Sequence, residues 1–375
     1  MNKINMIEPN MTTLITGGTG FLGRHLIDQL LAAGQTDLRV LTRRHNAELE
    51  ALGVAQVEGS LDDADALKEA VRGVTRVYHL AGLVERDRTQ AHRMYALHVE
   101  GTRRLFDALL ASDTDIEKVV VASTSGTVGV SRDASFVADD TSPYTESVVR
   151  DWPYYLSKIY QERVCVDYQK RHDLPVVLMR PTLLLGPGDW RESSTGDVVL
   201  FMKRKVPGVM PGGLSVVDVR DTAAAFIAAM ERAEPGSSYL LGAGNLTLAA
   251  FFDHLADITG LSAPRLPVPG PLAKLGGKLL SALQEAGAPA GDLDAASVEM
   301  ARHFWYIDSS RAKDELGFDP RPITLTLRDT VQWIREHHPD FAGTSSHREE
   351  PPAEWVPAET LEYARELRRK AGVES

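Results

Sequence analysis

Tyr154 and Lys158 stand four residues apart in Pro153-Tyr154-Tyr155-Leu156-Ser157-Lys158. That spacing places both side chains on one face of a helix. A phenol titrates near ~10 and is a poor acid–base group at neutral pH until something stabilises its anion. A neighbouring ammonium does so, which makes the pair a candidate for moving a proton to or from a substrate oxygen. Chance supplies about 0.3 such pairs in a chain with eleven lysines and ten tyrosines, so the pair needs company. The company is a run of hydroxyls, Ala122-Ser123-Thr124-Ser125-Gly126-Thr127, placed after a run of valines. Ser125 is the candidate to hydrogen-bond a carbonyl oxygen and hold it against Tyr154. The plain alternative for such a cluster is a turn bonded to its own backbone.

A second motif handles anions. Thr16-Gly17-Gly18-Thr19-Gly20-Phe21-Leu22-Gly23 lies between a β-branched run and a helical pattern. Glycines at 17, 20 and 23 allow a tight turn and close backbone approach to a pyrophosphate, while the helix N-terminus offers free N–H groups and a positive dipole end. Thr16, Gly17, Thr19, Gly20, Phe21, Leu22 and Gly23 are therefore candidate cofactor contacts, and strand–turn–helix is the context that a dinucleotide loop requires. The end of the next strand selects the cofactor: a carboxylate there binds a ribose 2′-hydroxyl, an arginine a 2′-phosphate. The chain reads Val40-Leu41-Thr42-Arg43-Arg44 with no carboxylate until Glu48. Arg43 is the candidate for the 2′-phosphate and Arg44 for stacking on adenine, which favours NADP(H) over NAD(H).

The elements that must position these groups follow from hydrophobic period. Strands are predicted at 12–15, 38–42, 54–57, 76–80, 118–122 and 174–179, and helices at 21–33, 63–72, 92–110 and 154–171. Continuous apolar strands suit a parallel sheet covered on both faces. The βαβαβ rhythm predicts an α/β, doubly wound Rossmann sheet. Past Arg180 glycine and proline thicken, which predicts a smaller, interleaved C-terminal substrate lobe. The domains so read are 11–180 for the cofactor, with 214–242 returning to it, 181–340 mainly for the substrate, and 341–375 as linker and short charged helix. An amphipathic helix at 271–284 reads as core or lid.

Composition sets limits. The chain has 375 residues, 43% hydrophobic and 25% charged, with 41 Lys+Arg against 52 Asp+Glu and a net charge of −11. That balance argues against a nucleic-acid surface, which needs basic patches. A single cysteine, Cys165, excludes an internal disulfide framework and a multi-cysteine zinc site. No metal site is expected. Residues 1–10 carry no apolar signal core and no run of 18 apolar residues occurs, so the expectation is a cytoplasmic protein without a transmembrane segment. His79 reads as a strand residue with satisfied nitrogens, and His337-His338 as a solvated helix end.

The chain resembles the extended short-chain dehydrogenase/reductase family, within the NAD-dependent epimerase/dehydratase superfamily, over about 12–334. Thr16-Gly17-x-x-Gly20-x-x-Gly23, the serine of Ser123-Thr124-Ser125 and Tyr154-x-x-x-Lys158 match its motifs. His79-Leu80-Ala81-Gly82, Arg180-Pro181-Thr182, Gly186-Pro187-Gly188, Val217-Asp218-Val219-Arg220-Asp221, Asp308-Ser309-Ser310-Arg311-Ala312 and Leu316-Gly317-Phe318 look like its later segments. Pro211-Gly212-Gly213 through Tyr239-Leu240-Leu241-Gly242 looks most like the dihydroflavonol-4-reductase and 3β-hydroxysteroid dehydrogenase branch. Two departures stand out: His98 replaces an asparagine in His98-Val99-Glu100-Gly101-Thr102, and Ser60 replaces an aspartate, leaving Asp62 as the nearest carboxylate. The resemblance implies further cofactor contacts from Leu61, Asp62, Leu80, Ala81, Gly82 and Pro181, with Tyr154 and Lys158 touching the cofactor as well. It also implies a homodimer through the helices at 92–110 and 154–171.

The reaction implied is hydride exchange between a nicotinamide and a carbonyl carbon, with Tyr154 as proton donor, Lys158 lowering its pKa and Ser125 orienting the oxygen. Phe136, Leu183, Trp190, Phe201, Met202 and Met210 fall in irregular segments and point to a small apolar or aromatic ketone or alcohol as substrate. A nucleotide-sugar epimerase or dehydratase with tightly held NAD is the alternative, with Lys203, Arg204 and Lys205 as diphosphate ligands. A non-catalytic NADP-binding regulator is the third reading.

Overall fold

Valine, leucine and isoleucine fill the strands of the larger sheet, and all its pairings are parallel. The computed structural model describes residues 12–85, 88–265 and 295–341. Its first strands and helices alternate: β1 (Thr12–Thr16), α1 (Phe21–Ala32), β2 (Leu38–Thr42), α2 (Ala47–Ala51), β3 (Ala55–Glu58), α3 (Ala64–Ala70) and β4 (Val74–His79). Then come α4 (Ala91–Tyr95), α5 (Thr102–Leu110), β5 (Lys118–Ala122), α6 (Glu146–Val149), α7 (Pro153–His172), β6 (Val176–Pro181) and β7 (Leu183–Leu185). The second half adds α8 (Gly196–Met202), β8 (Gly213–Asp218), α9 (Val219–Arg232), β9 (Ser238–Leu241), β10 (Gly244–Thr247), α10 (Leu248–Thr259), α11 (Ala295–Met300), α12 (Ser310–Leu316) and α13 (Ile323–His337).

The large sheet runs β3-β2-β1-β4-β5-β6-β9, the doubly wound Rossmann-like architecture that the strand–helix rhythm predicts. Every residue of β1 and β6 is buried, as helices on both faces require. Leu22, Leu26 and Leu30 of α1 join Phe226 and Met230 of α9 on one face. Leu67 of α3, Phe106 of α5 and Cys165 of α7 lie on the other. The order in which strands are added reverses between β1 and β4, so their carboxyl ends open the crevice where such sheets hold ligands. A smaller sheet, β10-β8-β7, carries α8, α10 and α13 around a separate apolar cluster. No helix among the described residues is long and apolar enough to cross a membrane.

Several expectations change. Of 214–242, only α9 and β9 join the large sheet, while β8 pairs with β7 and β10 in the small one. The helix expected at 92–110 is interrupted by a wide π turn, Ala96–Gly101, between α4 and α5. Of the two histidines at the end of α13, His337 is exposed as expected and His338 is not. The His337 ring stacks on Trp333, and His338 is buried with its Nε2 3.2 Å from Glu192, because the end of α13 packs on the 189–195 loop. Phe201 and Met202 face the small-sheet core rather than a pocket, and Leu183 and Trp190 pack against that core. The helix expected at 271–284, the linker and helix expected within 342–375, and residues 1–10 lie outside the described residues.

Candidate active site

The glycine loop is built by exclusion. Gly17 adopts φ +74°, and a Cβ there would stand 2.7 Å from the Ala81 nitrogen, so only glycine lets the loop after β4 close onto it. A Cβ on Gly23 would stand 2.3 Å from the Gly17 carbonyl oxygen, so the first turn of α1 rests directly on the loop. Gly20 is the extended N-cap of α1, and no side chain caps that end. Its leading N–H groups therefore face a cradle without side chains, which is what a pyrophosphate needs. The residues present fit a dinucleotide. Thr19 and Phe21 flank the cradle, Leu22 turns into the core, and Arg43 and Arg44 are exposed just past β2.

A hydrogen-bonded chain connects this loop to the start of α7, which carries Tyr154 and Lys158. The Ala81 N–H donates to Thr16 Oγ1 at 3.3 Å, and Thr16 Oγ1 lies 2.7 Å from His79 Nδ1. On the far side of the ring, His79 Nε2 lies 2.8 Å from Thr102 Oγ1, whose proton goes to the His98 carbonyl at 2.6 Å. Thr102 has no second proton, so His79 Nε2 carries the hydrogen and Thr16 donates to Nδ1. The same count fixes His98: Leu83 N–H donates to Nε2 at 3.0 Å, and Nδ1–H donates to Ser157 Oγ at 2.8 Å. Ser157 spends its own proton on the Tyr154 carbonyl at 2.7 Å. Burial, with help from the Lys158 charge, pushes His79 down to about 3 and His98 well below its usual value, so both rings are neutral links. The π turn delivers His98 inward to make these contacts, a common use of such a bulge at functional sites.

Lys158 is buried. Its Nζ donates to the Ala122 carbonyl at 2.8 Å and to Gln161 Oε1 at 2.9 Å, while Gln161 Nε2 donates to Thr102 Oγ1. Burial pulls its ammonium down to about 8. A Cβ on Gly82 would sit 3.7 Å from Nζ, so glycine there keeps space beside the ammonium. Burial pushes the Tyr154 phenol up to about 12, opposed by a hydrogen bond from Thr124. The hydroxyl on Tyr154 is thus that of Thr124. Ser125 is buried next door in the 3₁₀ turn Ser125–Thr127, where its carbonyl accepts from Val128 and Gly129 N–H. In this arrangement burial outweighs any lowering of Tyr154 by Lys158.

Glu162, one turn beyond Lys158 and fully buried, was not singled out from the sequence. It accepts from Ser123 Oγ, from Thr127 Oγ1 at 3.0 Å and from Arg180 Nη2 at 2.7 Å. Tyr154, Lys158 and Glu162 recur every four residues, and that extended stripe was the available signal. Arg180 also donates to Ser238 Oγ at 3.2 Å. Leu61 is buried against Gly101, exposed Asp62 accepts from Ser60, which holds its carboxyl below the usual range, and Pro181 ends β6 opposite Leu241. Leu80 N–H donates to the Thr16 carbonyl at 3.0 Å. Cys165 is buried and its thiol is pushed far up by burial, so it has no role as a nucleophile. Behind the glycine loop, Arg24 pairs with Glu48, and burial with the Glu48 charge raises Asp28 to about 7 against the pull of Arg24.

Residues 13–242 match the model of the NAD dependent epimerase/dehydratase family. A protein of Synechocystis named putative dihydroflavonol 4-reductase is 31% identical, over 86% of this chain and 94% of its own length. Sterol demethylase protein B of Methylococcus capsulatus is 30% identical, over 87% of this chain and 99% of its own. The solved dTDP-glucose 4,6-dehydratase of Streptomyces venezuelae with NAD bound shares the fold, with a TM-score of 0.67 and 23% identity over 88% of this chain and 99% of that one. The chain belongs to the NAD dependent epimerase/dehydratase family. It is an enzyme of the NAD(P)-dependent oxidoreductase class.

Replacing Arg180 with methionine strands a buried carboxylate and is expected to cost roughly 3–5 kcal/mol of unfolding free energy. The double variant Glu162→Leu/Arg180→Met should recover most of that in chemical denaturation, and equal losses in both would rule out the ion pair as the cause. Asp28 has its folded pKa raised from 3.8 to about 7, so the folded state holds a proton that the unfolded state has lost. Stability attributable to it therefore falls as pH rises from about 4 to about 7. Asp28→Asn should raise the melting temperature clearly at pH 8, less at pH 5 and negligibly near pH 4 by differential scanning calorimetry.

Proposed function

We propose that this protein is an NADP(H)-dependent reductase that converts an apolar or aromatic ketone to a secondary alcohol. The observation that carries the reading is the Tyr154 phenol. It is held by Thr124, set one turn from Lys158 and pushed up to about 12 by burial, so it stands protonated at neutral pH. A protonated phenol is a donor, which suits reduction of a carbonyl rather than oxidation of an alcohol. The names of the Synechocystis and Methylococcus relatives, a reductase and a sterol enzyme, fit an apolar cyclic substrate.

A bound nicotinamide supplies the hydride chemistry. The chain's own residues do the rest: Tyr154 Oη gives its proton to the developing alkoxide, and Thr124 donates its own proton to Tyr154 Oη and so steadies the phenolate. Ser125 is the candidate to orient the substrate oxygen. Lys158 Nζ, anchored by Ala122 and Gln161, offers a positive charge that steadies the phenolate left behind. Arg43 meets the 2′-phosphate and Arg44 the adenine. Of the basic residues that an epimerase would use for a diphosphate, Lys203 is tied to Asp340 at 2.6 Å, which favours the reductase.

Tyr154→Phe should lower kcat for NADPH-dependent ketone reduction by about 100-fold or more, the usual worth of a general acid, with melting unchanged. Full turnover by that variant would end the reading. In the same assay Thr124→Ala and Ser125→Ala should each lower kcat, and full turnover by Ser125→Ala would end that residue's orienting role. Nucleotide released by heat from the purified protein should be NADP(H). Tightly retained NAD would instead support the epimerase or dehydratase alternative.

A further inference from the structure

Gln161 lies on α7, three residues past Lys158 and on the same face of the helix, and it is fully buried. Its amide has one possible orientation. Thr102 Oγ1 spends its proton on the His98 carbonyl at 2.6 Å, so towards Gln161 it can only accept. The amide nitrogen therefore faces Thr102 at 2.9 Å, and the amide oxygen is left to accept from Lys158 Nζ, also at 2.9 Å. The other acceptor on Nζ is the Ala122 carbonyl at 2.8 Å. Among the described residues, this buried ammonium thus meets two neutral oxygens and no carboxylate. An ammonium has three N–H bonds and a neutral amine two. With both acceptors in place, only the charged form keeps an N–H to offer outwards. Gly82, on which a Cβ would stand 3.7 Å from Nζ, leaves room beside it.

We propose that Gln161 is a positioning residue for this site: by accepting one N–H it fixes the Lys158 ammonium and reserves its third N–H for an acceptor in the crevice. The same amide ties Lys158 to the chain of Thr102, His79 and Thr16, so the ammonium and the glycine loop share one hydrogen-bonded frame. The titratable groups around Nζ are Tyr154, Glu162 and Cys165 from α7, His79 from β4 and His98 from the π turn, while β5 faces it with the Ala122 carbonyl. Burial keeps Tyr154 and Cys165 protonated and both rings neutral, and Glu162 is engaged by Arg180. Holding the charge on Lys158 against burial therefore falls largely to two carbonyls, and Gln161 supplies the one that a substitution can remove. The inference rests on the role given to Lys158 under the proposed function, though not on the identity of the ketone.

Lysine labelled with ¹³C at Cε tests it in the ligand-free, full-length protein, the Lys158 signal being the one lost in Lys158→Met. In the wild type its titration midpoint should lie near 8. Gln161→Leu keeps the bulk and removes the acceptor, so the midpoint should fall by about one pH unit or more, the scale of a hydrogen bond to a charged group. Gln161→Glu adds a charge to the acceptor and should raise it. In each protein the alkaline fall of kcat for NADPH-dependent ketone reduction should follow that midpoint. A merely structural glutamine would lower the melting temperature and leave the midpoint where it is. An unmoved midpoint in the folded leucine variant overturns the inference, as does one in the glutamate variant should the leucine variant fail to fold. A kcat profile that stays put while the midpoint moves overturns it too. Midpoints that move as expected in a protein that reduces no ketone sustain the positioning of Lys158 and overturn the proposed function alone.

Discussion

The buried pair of Glu162 and Arg180 is the constraint on which the site depends. A carboxylate at 0% exposure survives only with full compensation, and here that compensation ties three segments together. Arg180 comes from β6, Ser123 and Thr127 from the loop after β5, and Glu162 itself from α7. Meeting that one charge fixes the hydroxyl loop against the helix. Thr124, between the two loop donors, then has little freedom except to sit on Tyr154.

A second set of buried groups extends this order to the glycine loop. The proton count through Thr16, His79, Thr102, His98 and Ser157 admits one arrangement, and each hydroxyl in it gives its proton in a defined direction. Two imidazoles that would be charge carriers at the surface serve here as neutral spacers, because burial makes their protonation costly. The cofactor loop, the end of β4 and the start of α7 therefore hold one another in place. The histidine at position 98 is a departure from the family pattern in sequence, yet it completes a satisfied network in the fold.

Electrostatics at the centre follow from the same burial. Lys158 is brought down and Tyr154 up, so two groups with nearly equal ordinary values are drawn apart, each towards its uncharged form. Lys158 remains charged at neutral pH because two acceptors hold its ammonium. The sheet contributes the location, since the reversal of strand order between β1 and β4 leaves their carboxyl ends open side by side.

The sequence by itself determined the α/β class, the order of the first six strands to within a residue or two, the glycine loop and the Tyr154–Lys158 pair. These are local properties: strand period, helix period, and glycine where a Cβ has no room. Only the tertiary structure decided that Thr124 rather than Ser125 reaches Tyr154, since both hydroxyls follow the same strand and one residue of turn separates them. Only it showed Glu162 buried, His98 turned inward by a π turn, β8 assigned to the small sheet, and Phe201 and Met202 consumed by a core. Each of these depends on which segments meet across the fold, and spacing along the chain carries no record of that.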